Sequence, residues 1–133
     1  MEKIQSYIND NDRLARHLGI EIVAVGLGTA TARMELAEEH TNSLGMAHGA
    51  TLFALADLAF AAASNSHGSV AVGVQAGIHF HHSVSSGTLT ATAKEVSRSR
   101  RLASYLVEVR DASDNLVATF QAMAYRKKEV LSC

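Results

Sequence analysis

Residues 48–63 read HGATLFALADLAFAAA, and Asp57 is their only carboxylate. A carboxylate held among apolar side chains has a raised pKa and can serve as a nucleophile or a general base. The plainer reading is that Asp57 only hydrogen-bonds to a nearby amide, because an unpaired buried acid is costly. Upstream of it stand Asn42, His48 and Gly49. The run predicts a helix starting near Gly49, whose N–H would then be unbonded and backed by the positive end of the helix dipole. Such an amide suits a developing oxyanion, with Asn42 and His48 supplying polar contacts. Eight residues separate Gly49 from Asp57, about 12 Å along a helix, which is too far to act on one carbonyl. If they share a site, they come from two copies of the chain with their helices antiparallel.

On that helix Asp57 shares a stripe with Ala50, Phe53, Ala54, Ala61 and Ser64, most of them small. Leu52, Leu55, Ala59 and Phe60 form a stronger core face on the other side. Asp57 is therefore expected to face a partner element and not its own sheet.

Other residues carry weaker signals. His79 and His81 share one face of a predicted strand, with His82 next to them. No third ligand is evident, so strand histidines beside the pocket are expected and no metal. Arg98, Arg100 and Arg101 lie in a turn with Ser97 and Ser99. They read either as a solvated basic turn or as a contact for the phosphates of coenzyme A. Lys127 and Lys128 are a second candidate of the same kind. Ser83, Ser85 and Ser86 lack the surroundings of a nucleophile elbow.

The elements that must position these residues follow from periodicity. Ile4, Tyr7, Ile8 and Leu14 predict an amphipathic helix over 2–17, ended by Gly19. Residues 20–36 read as two strands joined at Gly26 and Gly28, followed by a polar loop and a central helix over 47–65. From Ser69 onward, four long segments of period two, separated by SSG, SRSRR and ASDN, predict an antiparallel meander. A helix apolar on every side must be covered on every side. A curved sheet can wrap most of it and a second subunit the rest. The class is α+β, one domain over 1–133.

The chain has 133 residues, net charge −1, 47% hydrophobic and 19% charged residues, which suits a globular protein. That balance argues against nucleic acid or an anionic membrane as the main partner. A single cysteine, Cys133, points to a reducing compartment. No secretory signal or membrane-spanning run is visible, so a cytoplasmic location is expected.

The stretch Asn42-Ser-Leu-Gly-Met-Ala-His48-Gly49-Ala50-Thr-Leu-Phe-Ala-Leu-Ala-Asp57 resembles the Asn-x5-His-Gly-Gly-x-x-x-x-Leu-x-Asp signature of hotdog-fold acyl-CoA thioesterases of the phenylacetate-degradation (PaaI) type. IHFH from Ile78, GTLTATA from Gly87, RLASYLVEVRD from Arg101 and LVATF from Leu116 extend the similarity over about residues 15–127. The resemblance implies a hotdog fold, dimers that often pair into tetramers, and hydrolysis of an acyl-CoA, such as phenylacetyl-CoA or hydroxyphenylacetyl-CoA, without a cofactor. It implies that Asp57 is the catalytic carboxylate, that Gly49 polarises the carbonyl, that Asn42 positions substrate or water, and that His48 sits near the thioester. Two positions depart from the pattern. Ala50 replaces the second glycine, and Gly73 falls where some relatives carry a catalytic hydroxyl. A hydratase on the same fold would use an acid and a histidine in another motif. A non-catalytic acyl-CoA sensor would need no acid at position 57.

Overall fold

The computed structural model describes residues 1–133. Helices α1 (Glu2–Asn11) and α2 (Arg13–Leu18) precede strands β1 (Glu21–Gly26) and β2 (Thr29–Leu36). A 3-10 turn over Glu38–His40 leads to the long helix α3 (Gly49–Asn65), followed by β3 (Ser69–Phe80), β4 (Gly87–Arg98), β5 (Leu102–Arg110) and β6 (Leu116–Val130).

The single helix expected over 2–17 is two helices. Asp12 adopts an extended conformation between them, and its Oδ1 accepts the Ala15 N–H at 3.0 Å as the cap of α2. The run Asn9-Asp10-Asn11-Asp12 explains the break, since short polar side chains compete with helical hydrogen bonding and favour caps. Asn9 then clips α1 to β1, accepting from the Ile22 N–H and donating to the Ile22 carbonyl. Gly19, at φ 74°, ends α2 in the left-handed conformation that glycine tolerates.

All six strands form one antiparallel sheet in the order β1-β2-β4-β5-β6-β3. The expected four-strand meander holds only for β4, β5 and β6. Strand β3 lies at the far edge beside β6, and β4 pairs with β2. The connection over 81–86 is no tight hairpin: the His81 N–H donates to the Val117 carbonyl and the Val84 carbonyl accepts from Ala47. These bonds carry the chain past the start of α3 and back to the middle of the sheet.

Helix α3 lies against the inner face of this sheet. Alternate residues of the strands point at it, among them Ala30, Ala32, Ala91, Ala93, Ala122 and Ala124, all buried. Such small side chains let the sheet curl close to the helix without voids. Aromatic rings fill the wider space: Phe60 meets Tyr105 edge-on at 5.5 Å and lies 6.1 Å from Phe120. On α3 itself Leu52, Leu55, Ala56, Leu58, Ala59, Phe60, Ala62 and Ala63 are buried, each large one contributing about 1.5–3 kcal/mol on burial. No helix is long and apolar enough to cross a membrane.

Candidate active site

The start of α3 is held by His48. Its Nδ1 accepts the Ala50 N–H at 3.0 Å, and its carbonyl accepts from Thr51 and Leu52. With Nδ1 an acceptor, the neutral ring carries its proton on Nε2, which is left to donate outward from an exposed position. The Gly49 N–H makes no hydrogen bond within the chain. It is thus a donor at the positive end of a seventeen-residue helix. A Cβ on Gly49 would sit 3.0 Å from Phe80 Cζ. Glycine leaves room for the Phe80 ring to pack beside this residue.

Asn42 holds the loop ahead of the helix. Its Oδ1 accepts from the Leu44 and Met46 N–H groups, and Gly45 turns in the left-handed region between them. With the oxygen committed, the side-chain NH2 is what Asn42 can offer a ligand. Asn42 and Gly49 line one cleft of about 360 Å³, together with Met46, Phe80, His81 and His82. Spacing along the chain places the histidines near the pocket but does not single out Phe80; its alternation on β3 gives no hint, because the contact depends on the fold. His81 Nε2 bonds to Thr119 Oγ1, and His82 lies 3.8 Å from Asp111. No three His, Cys, Asp or Glu side chains come together in metal-binding geometry.

The cleft contains no carboxylate. Asp57 lies two turns along α3 on a stripe that the sheet leaves uncovered: Ala50, Phe53 and Asp57 are exposed, and Ala54 and Ala61 are half-covered. Ser64, assigned to the same stripe, is instead buried and bonded to the Ala61 carbonyl. Partial burial pushes the Asp57 carboxyl above the usual aspartate range, and the negative charge of Asp12 pushes it the same way. The sequence does not mark Asp12. It approaches only because the chain breaks there, and the α1–α2 corner then packs beside α3.

Gly73 faces the same helix from β3, and a Cβ there would lie 3.0 Å from Phe60 Cε2. A hydroxyl-bearing residue at this position would require the Phe60 ring to give way by a few tenths of an ångström.

The three arginines of the β4–β5 corner part company. Arg98 turns back, donating from Nη1 to His67 Nδ1 at 2.8 Å, with Nε 4.0 Å from Glu95 Oε2. Glu95 Oε1 accepts from both His67 and Tyr105 at 2.8 Å. Burial works against the charged form of Glu95, yet these bonds and the nearby Arg98 charge outweigh it and hold the carboxyl below its ordinary range. Burial and the Glu95 contact together push Tyr105 up. Arg100 and Arg101 point the other way, into a separate basic cleft.

A model of the thioesterase superfamily matches residues 44–118, the span from the loop before α3 to β6. The acyl-coenzyme A thioesterase PaaI of Escherichia coli (strain K12) is 36% identical over 118 residues, covering 88% of this chain and 84% of that one. The structure of the E. coli PaaI protein from the phenylacetic acid degradation operon superposes with a TM-score of 0.94 at 31% identity, over 98% of this chain and 96% of the other. A mutant of the phenylacetic acid degradation protein PaaI from Thermus thermophilus is 36% identical, with a TM-score of 0.82 over 86% and 98% of the two chains.

Proposed function

The chain belongs to the thioesterase superfamily, as a hotdog-fold enzyme of the PaaI type, and on that premise we propose that it hydrolyses acyl-CoA thioesters at a site shared by two subunits. One observation carries this reading: the unbonded Gly49 amide belongs to a cleft that holds no carboxylate, while the Asp57 carboxylate stands two turns away on the exposed stripe of the same helix. A second copy with its α3 antiparallel brings the Asp57 of one chain to the Gly49 of the other.

The edge of the sheet supports such pairing. Strand β3 has twelve residues, and Val72, Gly73, Val74, Gln75 and Ala76 in its middle are all exposed. No charged residue or proline guards that stretch, and an unguarded edge strand invites another strand. Pairing two β3 edges antiparallel about a twofold axis reverses one α3 against the other.

In this arrangement the acyl carbonyl oxygen accepts from the Gly49 N–H, which strengthens as negative charge develops on that oxygen. The partner's Asp57 carboxylate then either attacks the carbonyl carbon or takes a proton from the attacking water. The carbon–sulfur bond breaks and the sulfur leaves with a proton as coenzyme A; where Asp57 attacked, a water then cleaves the acyl–Asp57 anhydride, so that on either route the acyl group leaves as the acid and Asp57 is restored. The NH2 of Asn42 and the Nε2–H of His48 are free to hold the substrate. The acyl group proposed is an aryl one such as phenylacetyl or hydroxyphenylacetyl, taken from the resemblance and from the relatives' names. A reducing, cytoplasmic setting is part of the same proposal, supported by the lone exposed Cys133. The test is thiol release from a panel of aryl and fatty acyl-CoAs. Turnover of an aryl member sustains the reading, and tight binding without turnover would make the protein a sensor.

The carboxylate acts in its ionised form, so the acid limb of kcat/KM should lie above the pH of an ordinary aspartate. Asp12→Asn removes one of the two causes of the raised pKa while keeping an oxygen to cap α2. The limb should therefore move to lower pH, with thermal stability little changed. An unmoved limb would disconnect Asp12 from the reacting group, and a rate flat through the acid range would disconnect Asp57 as well.

A further inference from the structure

One buried titratable side chain takes no part in the reaction described above. His40 is 5% exposed, and its ring stands between two separate pieces of backbone. Nδ1 accepts the Ala37 N–H at 2.8 Å, just past the end of β2, and Nε2 donates to the Leu18 carbonyl at 2.7 Å, where α2 ends. An accepting Nδ1 puts the ring's one proton on Nε2, so a single tautomer meets both bonds. Leu18 is the last residue of α2, and the final carbonyls of a helix have no partner within it. Turning the ring away would strand both partly buried backbone groups, which is costly.

The main chain of the same residue reaches the start of α3. The His40 carbonyl accepts twice, from the His48 N–H at 2.9 Å and from Thr51 Oγ1 at 3.0 Å. Thr51 is itself buried and lies in the first turn of α3. The first of these bonds fixes His48, and the His48 carbonyl is fixed in turn by the amides of Thr51 and Leu52. That carbonyl and the Gly49 N–H are the two ends of one planar peptide group. Holding the carbonyl inward along the helix therefore aims the N–H the other way, toward the developing oxyanion. The residues next in sequence, Thr41 and Ala47, pair as an antiparallel bridge. The loop that carries Asn42 is thus closed at its base beside the His40–His48 contact.

We propose that His40 is the positioning residue of the Gly49 amide. Its ring ties the 3-10 turn to α2 and β2, and its carbonyl passes that constraint to His48 and Thr51. The inference rests on the acyl-CoA reading above and adds to it the residue that sets the aim of the oxyanion donor. His40 does not line the cleft that Asn42 and Gly49 share, so it acts only through its neighbours. The worth of a donor depends on its distance and angle to a charge that appears only in the transition state. A misplacement of about 1 Å can cost about 10²-fold in rate. Ground-state binding precedes that charge and is much less sensitive. The effect of His40 therefore belongs in kcat and not in KM.

The experiment uses substitutions that each keep part of the contact. His40→Asn retains an acceptor near the Nδ1 position and loses the donor to Leu18, whereas His40→Gln retains a donor near Nε2 and loses the acceptor for Ala37. Thr51→Val removes only the hydroxyl that bonds to the His40 carbonyl. With an acyl-CoA, well below the lowest Tm, kcat per folded subunit should fall about tenfold in either His40 variant and about threefold in Thr51→Val, with KM unchanged. His40→Gln combined with Thr51→Val should lose less than the product of the separate losses, because both lie on one line to Gly49. The 15N–1H resonance of the Gly49 amide, read without substrate, should move in the order of the kcat losses. A His40 that serves stability alone would lower Tm and leave kcat per folded subunit at the wild-type value, which would overturn the proposal. A rise in KM at constant kcat, or fully multiplicative losses in the double variant, would overturn it too. A displaced Gly49 resonance in a protein whose wild type hydrolyses no acyl-CoA would sustain the positioning and overturn the reaction. Hydrolysis by wild type, with the Gly49 resonance unmoved in every variant, would do the reverse.

Discussion

Asp57→Asn should lower kcat for acyl-CoA hydrolysis by about 10³-fold, the scale expected when a nucleophile or general base is removed, while substrate binding is retained. Asparagine matches the shape of aspartate but can neither take a proton nor attack the carbonyl as a carboxylate does. Stability separates this from unfolding. Burial and Asp12 raise the folded pKa of Asp57, so its stabilising protonated form is fully present only below the unfolded pKa. That contribution is lost as pH rises through the folded value. At neutral pH the ionised Asp57 therefore works against the fold, and the variant's Tm should equal or exceed that of wild type. Retained turnover in a folded Asp57→Asn protein would remove Asp57 from the chemistry and leave it a feature of the interface.

Mixing two inactive proteins should restore activity. Asp57→Ala spoils one half of each site and Asn42→Ala spoils the other, so in a mixed dimer one site receives both defects and the other receives none. Statistical exchange between the two parents then gives about a quarter of the wild-type activity. The expectation follows from the geometry: the cleft holding Asn42 and Gly49 has no carboxylate, and Asp57 faces outward two turns along the helix. Thiol release measured after mixing, with subunit exchange confirmed by native mass spectrometry of a tagged parent, reads the outcome. No recovery despite exchange would place all the reacting groups on one chain.

Helix α3 was legible because its information is local. Apolar residues on every side, with a stripe of small residues and one acid, mark both the helix and most of the stripe that the sheet leaves uncovered. The turn glycines and period-two segments located the strands in the same way. The signature from Asn42 to Asp57 was readable too, since its parts lie within sixteen residues. Periodicity could not say which strands are neighbours, because β3 and β4 look alike as sequences. Bonds from the 81–86 connection to Val117 and Ala47 send β3 to the far edge.

The electrostatic setting was also beyond the sequence. Asp12 reaches Asp57 only through the packing of a chain corner, and Arg126 meets Arg100 and Arg101 only across the β5–β6 ladder. Even neighbouring arginines divide: Arg98 goes to His67 and Glu95, while Arg100 and Arg101 enter the basic cleft. The sequence by itself determined the strands, the long helix and which residue types are able to do chemistry, for those depend on spacing along the chain. Tertiary structure alone decided which charges face one another and which donors stay free, because Coulomb and hydrogen-bond energies depend on distance in space.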